Sequence, residues 1–576
     1  MTAAPGRVHT EPRIRAAYSE GAGIYRVVPA AVALPSSAVE LAALVRWAAE
    51  SGTPLTARGA GSGIPGNAVG GGVLVDLRER MPRRLEVDPA TGTALTSANI
   101  TQQELNAAAA VHGLRLPPDP SSSRWATLGG MVATNAAGAR TVRYGPARPW
   151  VLGLEVVTAD GEVGWVERWL GDSAARRLGD SAGSGSALRV AARFEAGAAP
   201  AIRAAAEVVR ARFPRVRKNT AGYALDHWLE TGDLVDLLVG SEGTLALITG
   251  IRWRLCPIAP ARSSLRIALR SLEDLEPVVR ALVALDPSAV ELLDRTFMDL
   301  VGEAARRLGG SAQRTATQPP SPRAAEATLL VEFERESDAA ARGVAGDAVR
   351  AVRDQATDIE TALTPEEEER LWSLRHAASP ILASLPPDRR SLQVIEDGCV
   401  PLPRLGEYVA AIRAAASRQG ITVVIFGHAG DGNVHVNALP LVDQPGWVER
   451  VTALYHEVNA AAIRLGGTVS GEHGDGRLRA PLLEAQYGPE VIELFRRVKT
   501  AFDPHGILNP GVKLAAGLDP LGSLKLGPGA AEIPADVAGA LREIERTGGY
   551  ARSRMEIAGL PGSGKREAGS GTPAQD

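Results

Sequence analysis

Cysteine is scarce in this chain, since Cys256 and Cys399 are the only two thiols among 576 residues. Two thiols do not make a disulfide framework, and they cannot fill the cysteine ligand set of an iron–sulfur cluster. The sequence therefore argues against both kinds of site within this chain.

The chain also lacks long apolar runs and a large excess of charge of one sign. Nowhere do about 18 uncharged apolar residues follow one another, which is the length that a membrane-spanning helix needs. Residues 1–20 lack the apolar centre of a secretory signal. The formal net charge of −3 gives no electrostatic basis for binding nucleic acid or an anionic membrane. These absences predict a cytoplasmic protein with no transmembrane segment and no nucleic-acid partner.

The chain is too long for one hydrophobic core, so two or three domains are expected. Short β-like runs alternate with alanine-rich helical stretches in the first half, whereas amphipathic runs precede strands in the second half. We predict a polar leader over residues 1–25, a first domain over 26–257, a second α+β domain over 258–513 and a partly disordered tail over 514–576. The last residues of the second domain are expected to return to the first.

The most informative stretch is residues 427–437, which read GHAGDGNVHVN. Asp431 and Gly432 form the pair typical of a two-residue type I′ hairpin turn, in which both central residues need positive φ. That turn would place His428 directly opposite His435, on the same face and about 5 Å apart. Two imidazoles this close could share one metal ion or could both be ordinary core residues, and the pair alone leaves both interpretations open.

A second cluster favours the metal interpretation. Glu472 and His473 lie within residues 471–476, GEHGDG. Two histidines and one glutamate around an open position form a catalytic ligation pattern. Adjacent residues of a regular strand point to opposite faces, so Glu472 and His473 can serve one site only if Gly471 and Gly474 free the backbone.

Small and hydroxyl-bearing residues are dense in the first half. Residues 58–63, RGAGSG, follow a β-like run, and consecutive backbone N–H groups in such a turn can cradle phosphate oxygens. Taken alone, this stretch could equally be a tight surface turn, and it lacks the spacing of a Rossmann dinucleotide fingerprint. Similar segments recur at residues 120–122, 126–130, 134–138 and 240–245. This density suits a long groove around a large ligand.

Together, residues 240–245, 427–437, 471–474 and 509–511 resemble, in family order, motifs of the vanillyl-alcohol-oxidase/PCMH-type flavoproteins. The resemblance covers roughly residues 25–513 and is strongest to the branch of D-2-hydroxyacid dehydrogenases. That branch includes D-lactate dehydrogenase, the glycolate oxidase catalytic subunit and D-2-hydroxyglutarate dehydrogenase. It implies an α+β fold, with a two-subdomain PCMH-type FAD-binding domain and an α+β substrate (cap) domain that holds an antiparallel sheet.

FAD is the cofactor that the resemblance implies. Members with a covalent flavin often carry histidine in the pyrophosphate loop, and residues 58–63 contain none, so non-covalent FAD is expected. The residues that match FAD-contacting positions are Arg58, Gly59, Ala60, Gly61, Ser62, Gly63, Pro120, Ser121, Ser122, Thr127, Gly129, Gly130, Thr134, Asn135, Gly138, Glu242, Thr244 and Asn509.

The resemblance to the metal-dependent members implies His428, His435 and Glu472 as ligands of a divalent metal. Two nitrogens and one carboxylate suit Zn²⁺, with Mn²⁺, Fe²⁺ and Co²⁺ as alternatives. His473 is expected to be the base that takes the hydroxyl proton of the substrate, because an imidazole is suited to proton transfer near neutral pH. The alternatives are that the two hairpin histidines only shape the pocket and that His473 is a hydrogen-bonded loop residue.

Arg375 matches the arginine that binds the substrate carboxylate, although an exposed helix arginine is the alternative. Ser379 and Asn437 match positions that hydrogen-bond the substrate in the hydroxyglutarate members. Where those members carry a lysine, this chain has Ile395. A second substrate carboxylate would lose a partner there, typically worth more than about 1 kcal/mol. A shorter or more apolar hydroxyacid is therefore favoured over D-2-hydroxyglutarate.

The leading hypothesis is an FAD- and metal-dependent enzyme that oxidises a small D-2-hydroxyacid to the 2-oxoacid and passes a hydride to the flavin. Electrons are then expected to leave to a separate acceptor, namely an iron–sulfur protein, an electron-transfer flavoprotein or a quinone. The alternatives are an oxygen-using oxidase and a non-catalytic flavin-binding subunit of a larger complex. A non-redox alkyl-glycerone-phosphate synthase is disfavoured, because its histidine-rich run is absent. The sequence is compatible with a homodimer. It is also compatible with peripheral attachment to the membrane through the electron acceptor.

Overall fold

The computed structural model describes residues 4–168, 188–307, 325–376, 378–383, 385–386, 388–515, 517–527 and 529–560. Within these ranges the strands form sheets of four, five, two and seven strands. The two-stranded sheet pairs Leu114–Arg115 with Cys256–Pro257, and the seven-stranded sheet lies wholly in the second half. In the same ranges we find no helix that combines the length and the apolar character needed to cross a bilayer.

The four-stranded sheet presents the Gly-rich loop at one edge. In spatial order its strands are Val8–His9, Ala31–Ala33, Val73–Asp76 and Leu55–Arg58, of which the first pair is antiparallel and the others are parallel. Helix Ala38–Ser51 makes the crossover that parallel pairing requires; Ser37 caps its first turn and Gly52, at φ 65°, ends it. Residues 59–63 then leave the sheet at the carboxyl end of Leu55–Arg58.

The five-stranded sheet is antiparallel throughout. Its strands in spatial order are Leu85–Asp88, Thr93–Ser97, Leu247–Arg254, Val151–Val157 and Val163–Glu167. The helices of this half, besides Ala38–Ser51, are Pro12–Ala17, Gln102–Ala110, Leu128–Thr134, Thr141–Tyr144, Arg189–Gly197, Ala199–Ala204, Ala206–Arg212, Leu225–Thr231 and Leu234–Leu238. Trp253 of this sheet shares a hydrophobic core with Tyr487 and Phe495 of helix Leu483–Phe502. The chain therefore returns to the first half after the large sheet is complete.

The seven-stranded sheet is also antiparallel. Its strands in spatial order are Ala356–Ala362, Ala261–Leu269, Ala327–Arg335, Ala289–Asp294, Thr422–His428, Asn433–Leu439 and Gly398–Cys399. The helices of this half, before Leu483–Phe502, are Leu275–Val283, Arg295–Arg307, Asp338–Val352, Pro365–His376, Ala378–Ala383, Leu405–Gln419, Trp447–Arg464 and Gly476–Arg479. Leu329, Val331 and Phe333 alternate along one strand and lie in the core beneath these helices.

The opposite face of this sheet packs on the first half through buried ion pairs. Glu332 lies 2.7 Å from Arg140, and Glu334 lies 2.5 Å from Arg115. Both glutamates are 1% exposed, so breaking either pair would strand a charge away from water. These contacts fix the large sheet against the first half.

The structure differs from the predicted polar leader at residues 1–25. Val8–His9 is an edge strand, and helix Pro12–Ala17 buries Ile14. Tyr18 is also buried, and its hydroxyl donates to Asp76 at 2.8 Å. This segment is part of the folded first half.

The predicted tail also holds packed structure. Helices Ala535–Thr547 and Arg554–Ile557 lie against helix Pro12–Ala17, whereas residues 561–576 lie outside the described ranges. The prediction rests on the average composition of residues 514–576, which does not reveal that one helix in this segment has an apolar face. That face consists of Val537, Leu541 and Ile544.

Candidate functional site

A large cavity runs from the Gly-rich loop to the seven-stranded sheet, and the volume open to the centre of a water molecule is about 250 Å³. Most of the predicted FAD-contacting residues line it: Arg58, Gly59, Ala60, Gly61, Ser62, Gly63, Pro120, Ser121, Ser122, Thr127, Gly129, Gly130, Thr134, Gly138 and Glu242. At the sheet end the lining includes Arg375, His428, His435, Asn437, Glu472 and His473. One cavity thus joins residues that are several hundred positions apart in sequence.

The loop end of the cavity is shaped by bare backbone. A Cβ at Gly61, whose φ is 73°, would come 2.3 Å from the guanidinium of Arg58, and a Cβ at Gly59 would come 2.3 Å from Thr127 Oγ1. Arg58 donates to the carbonyl oxygen of Glu20 at 2.7 Å and braces the loop from within. A ligand can therefore come close to the backbone of this loop, and such a turn can offer N–H groups to an anion.

Three residues predicted to contact the cofactor lie behind the cavity wall instead. Asn135 ends a helix at φ 51° and accepts the backbone N–H of Arg148. The hydroxyl of Thr244 donates to the carbonyl of Ser241. Asn509 donates to the carbonyl of Glu242 at 2.8 Å. Their polar side chains satisfy backbone groups, so their part in the site is to support the wall.

The hairpin at residues 427–437 has a longer turn than predicted. Four residues, 429–432, connect its strands, with a 3₁₀ turn over Ala429–Asp431. His428 pairs with Asn433 rather than with His435, so the prediction of a two-residue turn is wrong. Asp431 is buried 3.5 Å from Lys218, and a side chain held inside cannot occupy an exposed hairpin tip.

The changed register keeps the two imidazoles on one face. Because the shift is two residues, His428 and His435 become diagonal neighbours instead of direct partners. Their ring centroids are 5.0 Å apart. Glu472 Oε1 lies 3.0 Å from Nε2 of His428 and 3.2 Å from Nε2 of His435. These three side chains offer ligand atoms that all lie within 4.8 Å of one another.

Hydrogen bonds orient both rings toward Glu472. Nδ1 of His435 lies 2.8 Å from the carbonyl oxygen of Glu396, which can only accept, so this nitrogen carries hydrogen. Nδ1 of His428 lies 2.5 Å from the carboxylate of Glu291. Both Nε2 atoms are then turned toward a carboxylate oxygen. That arrangement is favourable only when a proton or a cation lies between them.

The segment that carries Glu472 and His473 is a loop, not a strand. Backbone N–H groups of Glu472 and His473 donate to Oδ2 of Asp397 at 3.0 and 2.9 Å. Gly474 has a φ of 86°. The glycine-flanked backbone therefore turns both neighbouring side chains toward one cavity.

His473 is the most accessible of the three site histidines, with 27% of its side chain exposed. Its Nδ1 lies 2.6 Å from Glu396, and its ring stacks on His435 with centroids 5.1 Å apart. Burial opposes the charged ring, but Glu396 and then Asp397 outweigh it and raise the pKa of His473 to about 9. The charged imidazolium is therefore favoured at neutral pH in the empty site, and a cation bound by the neighbouring Glu472 would oppose that charge and favour the neutral ring, which can accept a proton at Nε2.

Arg375 supplies a cationic group at the sheet end of the cavity. Arg375 Nε lies 2.6 Å from Glu291, and the guanidinium lies 4.9 Å from the centre of the Phe426 ring. Burial alone would raise the pKa of Glu291, but His428 and Arg375 lower it to about 2. Glu291 therefore stays ionised and holds both a histidine and the arginine in place.

The other residues considered for substrate binding lie in different places. Asn437 lines the cavity and accepts from Ser391 at 2.8 Å. Ser379 lies in helix Ala378–Ala383, but its side chain falls outside the part that the structure describes. Ile395 is 3% exposed and packs in the core of the second half, whereas Gln393 lines the cavity.

Sequence reasoning missed the buried charges behind the site. Lys218 lies 2.8 Å from Glu472, and Arg479 pairs with Glu396. The chain has only five lysines among 63 basic residues, so a lysine kept in the interior is a usable signal. Glu291 lies between Val290 and Leu292 in the strand Ala289–Asp294, and an acid flanked by apolar residues also marks a buried charge.

Two family models match the chain. One, described as "FAD binding domain", matches residues 29–167, and the other, "FAD linked oxidases, C-terminal domain", matches residues 258–512. A D-lactate dehydrogenase of Archaeoglobus fulgidus is 32% identical over 481 residues, which is 83% of this chain and 90% of that protein. The glycolate oxidase subunit GlcD of Bacillus subtilis is 30% identical over 494 residues, 85% of this chain and 90% of that protein.

Solved structures show the same fold. A p-cresol methylhydroxylase structure has a TM-score of 0.59 at 15% identity, covering 89% of this chain and 95% of that one. An alkyldihydroxyacetonephosphate synthase structure has a TM-score of 0.58 at 15% identity, covering 87% and 83%. The predicted α+β PCMH-type fold is confirmed. Since a relative above 30% identity matches over most of both chains, this chain belongs to the FAD-linked oxidases of the vanillyl-alcohol-oxidase/PCMH class, in the branch that contains these D-lactate dehydrogenase and glycolate oxidase relatives.

Proposed function

We propose that this chain oxidises a small D-2-hydroxyacid to the 2-oxoacid with the help of a divalent metal. One observation carries the proposal: a ligand triad, a proton acceptor and a cation meet at one end of a cavity whose other end is the Gly-rich FAD loop. A 2-hydroxyacid offers a hydroxyl, a Cα hydrogen and a carboxylate. The ligand triad and the proton acceptor match the hydroxyl, the cation matches the carboxylate, and FAD bound at the other end of the cavity would take the Cα hydrogen.

His428, His435 and Glu472 would hold the metal. The convergence of two imidazole nitrogens on one carboxylate oxygen, 3.0 and 3.2 Å away, fits a cation that replaces a shared proton. When bound, the metal would act as a Lewis acid on the substrate hydroxyl. Zn²⁺ suits the donor set, with Mn²⁺, Fe²⁺ and Co²⁺ as alternatives. Lys218 holds the second oxygen of Glu472 at 2.8 Å and so leaves Oε1 for the metal.

His473 would take the hydroxyl proton through Nε2. Glu396 accepts from Nδ1 at 2.6 Å, so it fixes the ring and stabilises the imidazolium that forms. Bound FAD would accept the Cα hydrogen as hydride. Arg375 would bind the substrate carboxylate with its terminal nitrogens, because its Nε is already held by Glu291.

The charge at the sheet end indicates how many carboxylates the substrate carries. Among the described residues that line this end, Arg375 is the only arginine or lysine. One guanidinium can neutralise one carboxylate, which favours a monocarboxylate over a dicarboxylate. The D-lactate dehydrogenase and glycolate oxidase relatives carry the names of such substrates.

An anaerobic stopped-flow screen of D- and L-2-hydroxyacids tests the proposal. We expect a D-monocarboxylate to bleach the flavin absorbance fastest, and the L-enantiomer to be much slower. Failure of every 2-hydroxyacid to bleach the flavin would overturn the proposed reaction. Reoxidation by oxygen, by a quinone and by an electron-transfer flavoprotein, measured on the same reduced protein, would separate the acceptors.

A change at Gln393 should shift the substrate preference. Gln393 lines the sheet end of the cavity, and Gln393→Lys would add a cation for a second carboxylate. We expect kcat/KM for D-2-hydroxyglutarate relative to D-lactate to rise by roughly 10- to 100-fold, the value of a charged hydrogen bond. Steady-state kinetics on both substrates measure the ratio.

Ile395→Lys is the matched control for that change. Ile395 is 3% exposed in the core, so a lysine there would destabilise the fold without reaching the cavity. We expect a lower melting temperature and an unchanged substrate ratio. A larger rise in the ratio for Ile395→Lys than for Gln393→Lys would place the distal substrate group at residue 395 instead.

The flavin is proposed to be held without a covalent bond. The loop at residues 58–63 contains no histidine, and the histidines that line the cavity lie at its sheet end. Acid precipitation of the holoprotein should therefore leave the yellow cofactor in the supernatant. Flavin that stays with the precipitate would contradict this.

A further inference from the structure

Residues 529–560, here called the clamp segment, lie against the Gly-rich end of the cavity. Leu541, Tyr550 and Met555 of this segment share one hydrophobic cluster with Ala60 of the Gly-rich loop. Ala60 itself lines the cavity. The segment begins after residue 512, where the match to the family model ends. Its contact with the loop is therefore a feature of this chain outside the matched family region.

Polar contacts join the clamp segment to the cavity wall. Arg78 lines the cavity and donates to the carbonyl oxygen of Tyr550 at 2.7 Å and to that of Arg552 at 3.1 Å. Ser553 donates to Glu79 at 2.7 Å. The side chain of Arg78 is thus held in its place by the backbone of the clamp segment.

A second wall segment meets the clamp segment at Trp125. The rings of Trp125 and Tyr550 are 5.9 Å apart, and a Cβ at Gly548 would come 2.8 Å from the Trp125 ring. Trp125 stands between Ser122 and Ala126, which both line the cavity. The clamp segment therefore bridges two parts of the wall, and it cannot move away without releasing both.

Three arginines are buried where the clamp segment meets the loop. Arg58, Arg78 and Arg554 are 2%, 5% and 3% exposed. Nε of Arg78 and Nη1 of Arg554 are buried and have no hydrogen-bond partner among the described residues. Burial, followed by repulsion from Arg58 and Arg78, lowers the pKa of Arg554 to about 9. Asp76 faces this group, but it also accepts from the hydroxyl of Tyr18.

Unpaired positive charge in the interior is costly and is relieved by an anionic ligand. The ligand of this end of the cavity has that character, since the diphosphate of FAD carries two negative charges. We propose that the clamp segment closes over the diphosphate end of the FAD site and slows FAD release, with Arg78 as a phosphate contact and Arg554 as a supporting cation. This proposal rests on FAD binding alone and is independent of the reaction that the enzyme catalyses.

The first test is Arg554→Met in the full-length holoprotein. Methionine keeps most of the length and apolar volume but removes the charge. We expect FAD to dissociate about tenfold faster, followed as the rise of flavin fluorescence after dilution. The melting temperature of the apoprotein should stay the same or increase, because an unpaired buried charge is lost. A purely structural role for Arg554 would instead lower the apoprotein melting temperature.

Met555→Asp tests the closure itself, since it places a carboxylate in the cluster that holds the clamp segment. We expect FAD release at least as fast as in Arg554→Met. Arg546→Met is the matched control, because Arg546 lies on the same segment, is exposed and pairs only with Glu543 among the described residues. Release rates for Arg554→Met and Met555→Asp that equal the control rate would overturn the proposal. A failure to oxidise 2-hydroxyacids would leave these rates unaffected.

Discussion

His473→Asn is expected to slow reduction of the flavin by a 2-hydroxyacid by about 10²- to 10⁴-fold, the contribution typical of a positioned general base. Asparagine can still donate to Glu396, which now lies 2.6 Å from the imidazole, so the loop should keep its shape. The amide cannot accept a proton in place of Nε2. Single-turnover stopped-flow at saturating substrate measures the step directly.

Two further measurements separate a base from a residue that merely shapes the pocket. The variant should keep its full content of FAD and metal, because His473 belongs to neither the Gly-rich loop nor the proposed ligand triad. His456→Asn is the control, since His456 is exposed on helix Trp447–Arg464. A His473→Asn protein that reduces its flavin as fast as the control would exclude this residue as the base.

The composition of the site could be predicted from local motifs, and its geometry only in part. The glycines around Glu472 and His473 correctly signalled a backbone that can turn two neighbours to one side. The Asp-Gly pair at residues 431–432 signalled a hairpin, but not its register. The turn type depends on whether the side chain of Asp431 lies in the interior or at the surface. A partner more than two hundred residues away, Lys218, decides that.

Buried charge was the least predictable part of the site. In the sequence Glu291 is an acid between two apolar residues, and in the structure it joins His428 to Arg375. Such a residue becomes interpretable only when the sheet places it beside a strand that follows more than a hundred residues later. Local propensity contains no information about that pairing. The clamp segment was overlooked for a related reason: its short apolar face gains meaning only from the helix Pro12–Ala17 against which it packs.

The metal proposal leads to the second large effect. Glu472→Gln should reduce the metal content of dialysed protein from about one ion per chain to nearly none, and flavin reduction should fall by about 10²-fold or more, since a Lewis acid contributes several kcal/mol. Glutamine has the same shape but no charge. The two Nε2 atoms that face Oε1 at 3.0 and 3.2 Å would then lose the anion that completes the triad. Elemental analysis and stopped-flow measure the two losses.

This change also removes an ion-pair partner from Lys218, so a loss of stability has to be separated from a loss of metal. Asp431→Asn supplies the control. Asp431 lies 3.5 Å from Lys218 on the other side but is not part of the ligand triad. Both variants weaken a buried pair and should destabilise the fold, by up to about 3 kcal/mol. Only Glu472→Gln should lose the metal. Full metal occupancy in Glu472→Gln would exclude Glu472 as a ligand, and an equal loss in Asp431→Asn would assign the loss of metal to the weakened ion pairs of Lys218 instead.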